Sequence, residues 1–81
     1  MTNDQIKQLC IRYDLFLHEK GFDKIERNHH DIAHIRWMCH EIPNILDAGK
    51  FEKANRWLGF VQGALWAHNI STIEELKEDN R

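Results

Sequence analysis

The sequence predicts an all-α fold, a single domain over residues 1–81 with three principal helices and a short C-terminal helix. Apolar residues recur at spacings of three and four in successive segments, and glycines or capping residues separate those segments. The segment 50–68 is apolar around nearly its whole circumference. We therefore expect it to be the central helix, surrounded by the other helices or docked on a second copy of the chain.

The first helix is predicted to run from Asp4 to Glu19. Asn3 or Asp4 can serve as its N-cap, because short polar side chains accept hydrogen bonds from the free amides of a first turn. Gly21, just beyond the end, is typical of a residue that stops a helix. One apolar face is expected to point inward, and it carries Ile6, Leu9, Cys10, Tyr13, Phe16 and Leu17.

The second helix is predicted to begin at Asp23 or Asn28 and to continue to Leu46. Its apolar stripe keeps a spacing of three or four through Ile25, Ile32, Ile35, Cys39, Ile42 and Leu46. Pro43 lies inside this pattern. Because proline removes one intrahelical hydrogen bond and clashes with the preceding turn, we expect a kink or a break in the two residues before it.

The third helix follows a turn at residues 47–49, where Gly49 can adopt the left-handed conformation that ends a helix. Helices two and three should therefore be antiparallel neighbours. A row of small residues, Gly59, Gly63 and Ala67, permits close approach of another helix backbone. The helix has two apolar stripes, the first made of Phe51, Ala54, Leu58, Val61 and Leu65 and the second of Trp57, Phe60, Ala64 and Ala67.

A short last helix is predicted from Thr72 to about Asp79, because Ser71 followed by Glu74 fits a capping box. The last two residues of the chain, at positions 80 and 81, are expected to fray. The inward side chains of this helix are predicted to be Ile73 and Leu76.

Composition limits the classes of function. A net charge of −2 gives no general attraction for nucleic acid or anionic lipid. The N-terminus lacks the basic start and apolar run of a secretory signal, and no apolar stretch approaches the roughly 18 residues of a membrane span. Cys10 and Cys39 have no paired spacing, so a disulfide scaffold is not predicted. We expect a reducing cytosol and no membrane partner.

The histidines raise the question of a metal site. His30 and His34 lie four residues apart, a spacing that offers two imidazoles to zinc from one helical turn. The sequence has no H-E-x-x-H or C-x-x-C motif to complete the site, so no metal or cofactor is predicted.

Cys39 and His40 diverge by about 100° on a helix and cannot form a nucleophilic pair. No other catalytic constellation is present, and we expect a protein that is not an enzyme.

Trp37 falls opposite the apolar stripe of helix two, among polar residues. It packs beneath helix one or the last helix, or it is an aromatic anchor for a partner, a role in which tryptophan is enriched. The predicted function is therefore non-catalytic binding to a protein partner through a helical surface, with a homodimer as a further expectation. The candidate partner-binding residues are His30, His34, Trp37, His40, Lys53 and Arg56.

An alternative function is that of a small nucleic-acid-binding transcriptional regulator. Lys50, Lys53 and Arg56 lie on the first two turns of helix three after a tight glycine turn, as in a helix-turn-helix whose second helix enters the major groove. Glu52 is interleaved among them, and a salt-bridged, solvated face is the simpler interpretation.

Two resemblances can be stated on particular residues. The stretch LDAGKFEKANRWLGF resembles the turn and second helix of a tetratricopeptide-type hairpin, although the chain has room for two such repeats at most. The stretch from His34 to Arg81, HIRWMCHEIP followed by EKANRWLGFVQGALW and the TIEELKEDNR tail, resembles small proteins encoded by tailed phages and prophages. That resemblance implies an accessory protein of the bacterial host cytosol that binds and modulates a host or phage factor.

Overall fold

The computed structural model describes residues 1–27 and 31–81, and in these residues it contains four helices and no strand. The predicted all-α class, with three principal helices and a short C-terminal one, is confirmed. Among the described residues, no helix combines the length and the apolar run needed to cross a bilayer. The helices are α1 (Asn3–Glu19), α2 (Ile32–Asp47), α3 (Phe51–Ala67) and α4 (Ile73–Asp79).

Helix α1 begins with a capping box that the sequence analysis missed. Thr2, rather than Asn3 or Asp4, is the N-cap: its Oγ1 accepts from the Gln5 amide at 3.1 Å, while Gln5 Oε1 accepts from the Thr2 amide at 2.7 Å. Both amides are thereby satisfied, because Gln5 lies three residues after the cap. Gly21 ends the helix as predicted, with φ +95°.

Helix α2 begins later than predicted. Residues 23–27 are not helical, and Ile25 is exposed rather than part of the inward stripe; the alternative start, Asn28, lies outside the described residues. Asp31 provides the N-cap, because its Oδ1 accepts from the Ala33 amide at 2.9 Å.

Pro43 does not break α2, so of the kink or break that was predicted here, the break is wrong. The helix continues through the proline to Asp47, with Ile42 and Leu46 buried on either side of it. The apolar burial of these neighbours outweighs the hydrogen bond that proline cannot donate. The turn to α3 is as predicted, since Gly49 has φ +77° and its amide donates to the Leu46 carbonyl at 2.9 Å.

The central helix is α2, not α3. Helix α2 packs against α1 and α3, whereas α3 has a broad exposed face on which Phe60 and Trp66 are 59% and 53% exposed. A chain with three principal helices has too few partners to cover every side of α3, and α4 is only seven residues long. The predicted central position of helix three is therefore corrected. Its buried side chains are Ala54, Leu58, Val61, Gln62 and Leu65.

The row of small residues on α3 also differs from the prediction. A Cβ added at Gly59 or at Gly63 would have no described atom within 4 Å, apart from its own helical surroundings. Ala67 is exposed. No helix of the described chain therefore makes the close approach that this row was expected to accommodate.

Gly59→Ala and Gly63→Ala should each raise the free energy of unfolding by about 1 kcal/mol in dilute solution, because alanine is the better helix former and the space is open. Gly49→Ala is the matched control. It should lower stability, since its backbone has φ +77°. Chemical denaturation of the three variants checks this, and a loss of stability at Gly59 and Gly63 would contradict the open face.

Helix α4 is held by a polar network that no periodicity indicates. Gln62 donates to Tyr13 Oη at 3.1 Å and to Asn80 Oδ1 at 2.9 Å, and Asn80 donates back to Gln62 Oε1 at 3.1 Å. Tyr13 in turn donates to Asp79 at 2.7 Å. Asn80 is thus tied to α3, contrary to the prediction of a frayed end.

The cap and the packing of α4 also differ in detail from the prediction. Thr72 is the N-cap and forms a capping box with Glu75, so the motif begins one residue later than Ser71. Leu76 is buried as expected, but Ile73 is 47% exposed. Phe16, predicted to face inward from α1, is likewise exposed. A helix of seven residues is too short to cover both.

Candidate functional site

Three aromatic side chains meet where α2 lies beside α3. The rings of His34 and Trp37 stack with centroids 5.4 Å apart and an interplanar angle of 21°. Trp37 contacts Trp57 with centroids 5.8 Å apart and planes tilted by 45°. We call His34, Trp37, Trp57 and the two cations described next, Arg27 and Lys53, the aromatic cluster.

Each indole of the cluster carries a cation over its ring. The Arg27 guanidinium carbon lies 5.6 Å from the centroid of Trp37, and Lys53 Nζ lies 5.3 Å from that of Trp57. Such contacts are electrostatically favourable because the faces of an indole are electron-rich. The cluster is therefore apolar in the middle and positively charged at its edge.

The local sequence explains why these rings meet. His34 and Trp37 lie three residues apart on α2, so their side chains share a face. Lys53 and Trp57 have the i, i+4 relation on α3. Trp37 and Trp57 are half-buried against the core. Trp37 thus packs on α3, and the predicted packing beneath helix one or the last helix is corrected.

His34 is oriented by the backbone ahead of α2. Its Nδ1 is hydrogen-bonded to the Arg27 carbonyl, and because a carbonyl only accepts, Nδ1 carries the proton. Neutral His34 therefore presents Nε2 as its acceptor.

His30 lies outside the described residues, so the His30–His34 pairing has no structural outcome. Within residues 1–27 and 31–81, no three His, Cys, Asp or Glu side chains are grouped to hold a metal ion.

His40 lies one turn after Trp37 on α2, but its side chain pairs with α1 and does not join the cluster. Its Nε2 lies 3.0 Å from Asp14 Oδ2 on α1. Asp14 Oδ1 also accepts from the Nε of Arg36 at 2.7 Å, and Arg36 donates to the Phe22 carbonyl at 2.9 Å. This network joins α1, α2 and the segment between them, and it makes His40 a structural residue.

Asp14 is the charged centre of that network. Burial pushes the pKa of Asp14 upward, but the hydrogen bond from Arg36 and the charges of His40 and Arg36 outweigh it, so the pKa is lowered overall. Arg36 is buried, with its side chain 7% exposed. The two charges therefore depend on each other inside the fold.

The remaining candidates divide between surface and core. Arg56 is exposed on α3, outside the aromatic cluster. Cys39 is buried as a small hydrophobe, and burial raises its thiol pKa, as expected for an unreactive cysteine. Of the six predicted partner-binding residues, the structure brings together His34, Trp37 and Lys53.

Two members of the cluster, Arg27 and Trp57, were missed. Trp57 lies on the second apolar stripe of a helix that was expected to be shielded, and it is half-buried and packed against the core. Arg27 precedes α2 in a segment that is not helical, so helical spacing gives no information about where its side chain lies. The adjacency of Lys53 and Trp57 at i, i+4 was the signal that could have identified the α3 half.

Comparison of the chain with protein-family models, with curated proteins and with solved structures gives no match.

Proposed function

We propose that the protein is a non-catalytic binding protein that docks on a protein partner through the aromatic cluster. Following the sequence resemblance, we place it among the accessory proteins that phages and prophages encode, acting in the bacterial cytosol. The partner would be a host or phage factor whose activity changes when the cluster covers its surface.

The observation that supports this proposal is the pair of half-buried indoles with cations over their faces. Tryptophan and arginine are enriched at the energetic centres of protein interfaces, and half-buried rings lose little side-chain freedom when a partner covers them. Arg27 and Lys53 favour a partner that presents a carboxylate beside an apolar side chain. The best-fitting partner surface is therefore apolar with an acidic rim.

Lys53→Glu should abolish capture of the partner from a lysate of the organism that encodes the protein. The change reverses one rim charge and removes the cation over Trp57, so the expected loss of affinity is about 10-fold or more. Lys77→Glu on α4 is the matched control, because Lys77 is exposed and lies outside the cluster. Mass spectrometry of the captured proteins should show one species retained by wild type and Lys77→Glu but missing with Lys53→Glu. Equal capture by all three would contradict the proposal.

The alternative of a nucleic-acid-binding regulator is favoured by one feature, the accessible first two turns of α3. Lys50 and Arg56 are exposed there, and Lys53 is half-buried. Against it, the rest of the accessible α3 surface carries Phe60 and Trp66. DNA or RNA retention that weakens steeply as salt rises from about 50 mM would support the regulator, because phosphate contacts release counterions.

A further inference from the structure

We infer that the outer face of α3 is the surface on which a second copy of this chain docks. The outer face comprises the accessible side of the helix opposite the core, at Glu52, Arg56, Gly59, Phe60, Gly63, Trp66 and Ala67, all of them exposed. It is distinct from the centre of the aromatic cluster. Trp66 follows Trp57 by nine residues, or two and a half helical turns, and so lies on the opposite side of α3.

The shape of this face fits a helix. Gly59, Gly63 and Ala67 lie along its middle, and positions beside the two glycines are open. Phe60 and Trp66 stand on either side of that row, by their helical register. The two exposed rings therefore flank a row where the helix backbone is accessible. Exposed aromatic rings of this kind are typical of association surfaces.

The spacing of the face makes it complementary to itself. In an antiparallel pair, a two-fold axis through the middle of α3 sets Gly59 of one copy against Gly63 of the other and Gly63 against Gly59. The same axis passes close to Phe60, so the two Phe60 rings meet beside the glycine contact. In a two-fold pair, the backbone of each helix therefore occupies the open space beside the glycines of the other.

Charge also favours a second copy. The outer face carries one acid, Glu52, and one base, Arg56. Its net charge is therefore zero, and two copies of the face do not repel each other. Antiparallel alignment places the positive N-terminal end of each α3 beside the negative C-terminal end of the other. A strongly acidic or basic partner would find no complement on this face.

The surface area of the outer face limits how strong the pairing can be. Seventeen residues make a strip about 25 Å long and about 10 Å wide. Two such strips cover about 500 Å² in total, less than the roughly 1,200 Å² that a stable protein–protein interface buries. The dimer should therefore be reversible, with a dissociation constant on the order of 100 μM rather than nanomolar.

Sedimentation equilibrium of the purified chain from about 10 μM to 1 mM tests the inference, because this range brackets the expected constant. Wild type should pass from monomer to dimer. Phe60→Glu should raise the dissociation constant at least about 10-fold, since it places two carboxylates together at the two-fold axis. Gly63→Leu should do the same by blocking the helix approach, while its monomer folds normally because the space is open.

Ile11→Glu is the matched control for Phe60→Glu. Ile11 is 57% exposed on α1, so the variant also replaces an exposed apolar side chain by a charge, but away from α3. It should dimerise like wild type. A wild-type chain that stays monomeric to about 1 mM, or a dimer that Ile11→Glu disrupts while Phe60→Glu and Gly63→Leu do not, would overturn the inference.

Discussion

Asp14→Asn should lower the free energy of unfolding by roughly 2–4 kcal/mol at neutral pH, a large share of the stability of so small a domain. Asp14 faces the Nε of Arg36 at 2.7 Å, and the Arg36 side chain is 7% exposed. Removing the carboxylate charge leaves the guanidinium buried without its counter-charge. Urea denaturation with helicity as the readout measures the difference.

Acid should remove the same contribution from the wild type. The pKa of Asp14 in the folded state is lowered, whereas an unfolded aspartate titrates near about 3.9. The carboxylate therefore stabilises the fold above that value, and the contribution is lost as the pH falls through the folded pKa. The stability gap between wild type and Asp14→Asn should narrow as the pH drops below about 3.9.

Asp47→Asn is the matched control for Asp14→Asn. Asp47 pairs with Lys7 at 2.5 Å, but the side chains are 65% and 32% exposed. Exposed ion pairs contribute little, so the urea midpoint of this variant at neutral pH should be indistinguishable from that of wild type. Equal losses in the two variants would contradict a special role for the buried Asp14–Arg36 pair.

Trp37→Ala should weaken binding of the protein partner by about 30-fold or more, the size of effect that an interface anchor shows. Trp37 contacts the rings of both His34 and Trp57, and Arg27 lies over its face. Its loss therefore dismantles the centre of the cluster. Because the ring is only half-buried, its removal should lower the free energy of unfolding by about 1–2 kcal/mol, which leaves the domain folded.

Trp66→Ala is the matched control for Trp37→Ala. It also removes a tryptophan side chain, but from the side of α3 that faces away from the aromatic cluster. Affinity measured at low protein concentration, where the chain is monomeric, should stay within about twofold of wild type. Circular dichroism and denaturation separate binding from folding. Retained affinity in Trp37→Ala, or unfolding of that variant in place of selective loss of binding, would assign Trp37 to the core.

The fold was predictable wherever apolar spacing coincides with burial. Leu58, Val61 and Leu65 mark the inner face of α3 by periodicity alone, and all three are buried. Periodicity could not tell which of two apolar stripes a neighbour covers, so Phe60 was assigned to a shielded helix although it is exposed. The start of α2 was obscured because Ile25 continues the apolar spacing by chance, in a segment that is not helical.

The site was predictable only within one helix. His34 and Trp37 share a face of α2, as their spacing requires. His40 was grouped with them, but Asp14, 26 positions earlier on α1, binds its imidazole and keeps it away from the cluster. Such long-range polar contacts leave no trace in local pattern, and the same is true of the approach of Arg27 to Trp37.

The three tryptophans allow the binding surface to be observed in the unaltered chain. Incorporated 5-fluorotryptophan gives one fluorine resonance for each of Trp37, Trp57 and Trp66, and the captured partner can be titrated into a dilute sample. Covering the aromatic cluster should move the Trp37 and Trp57 resonances and leave that of Trp66 in place. A titration that moves Trp66 alone, or none of the three while the partner binds, would contradict the account.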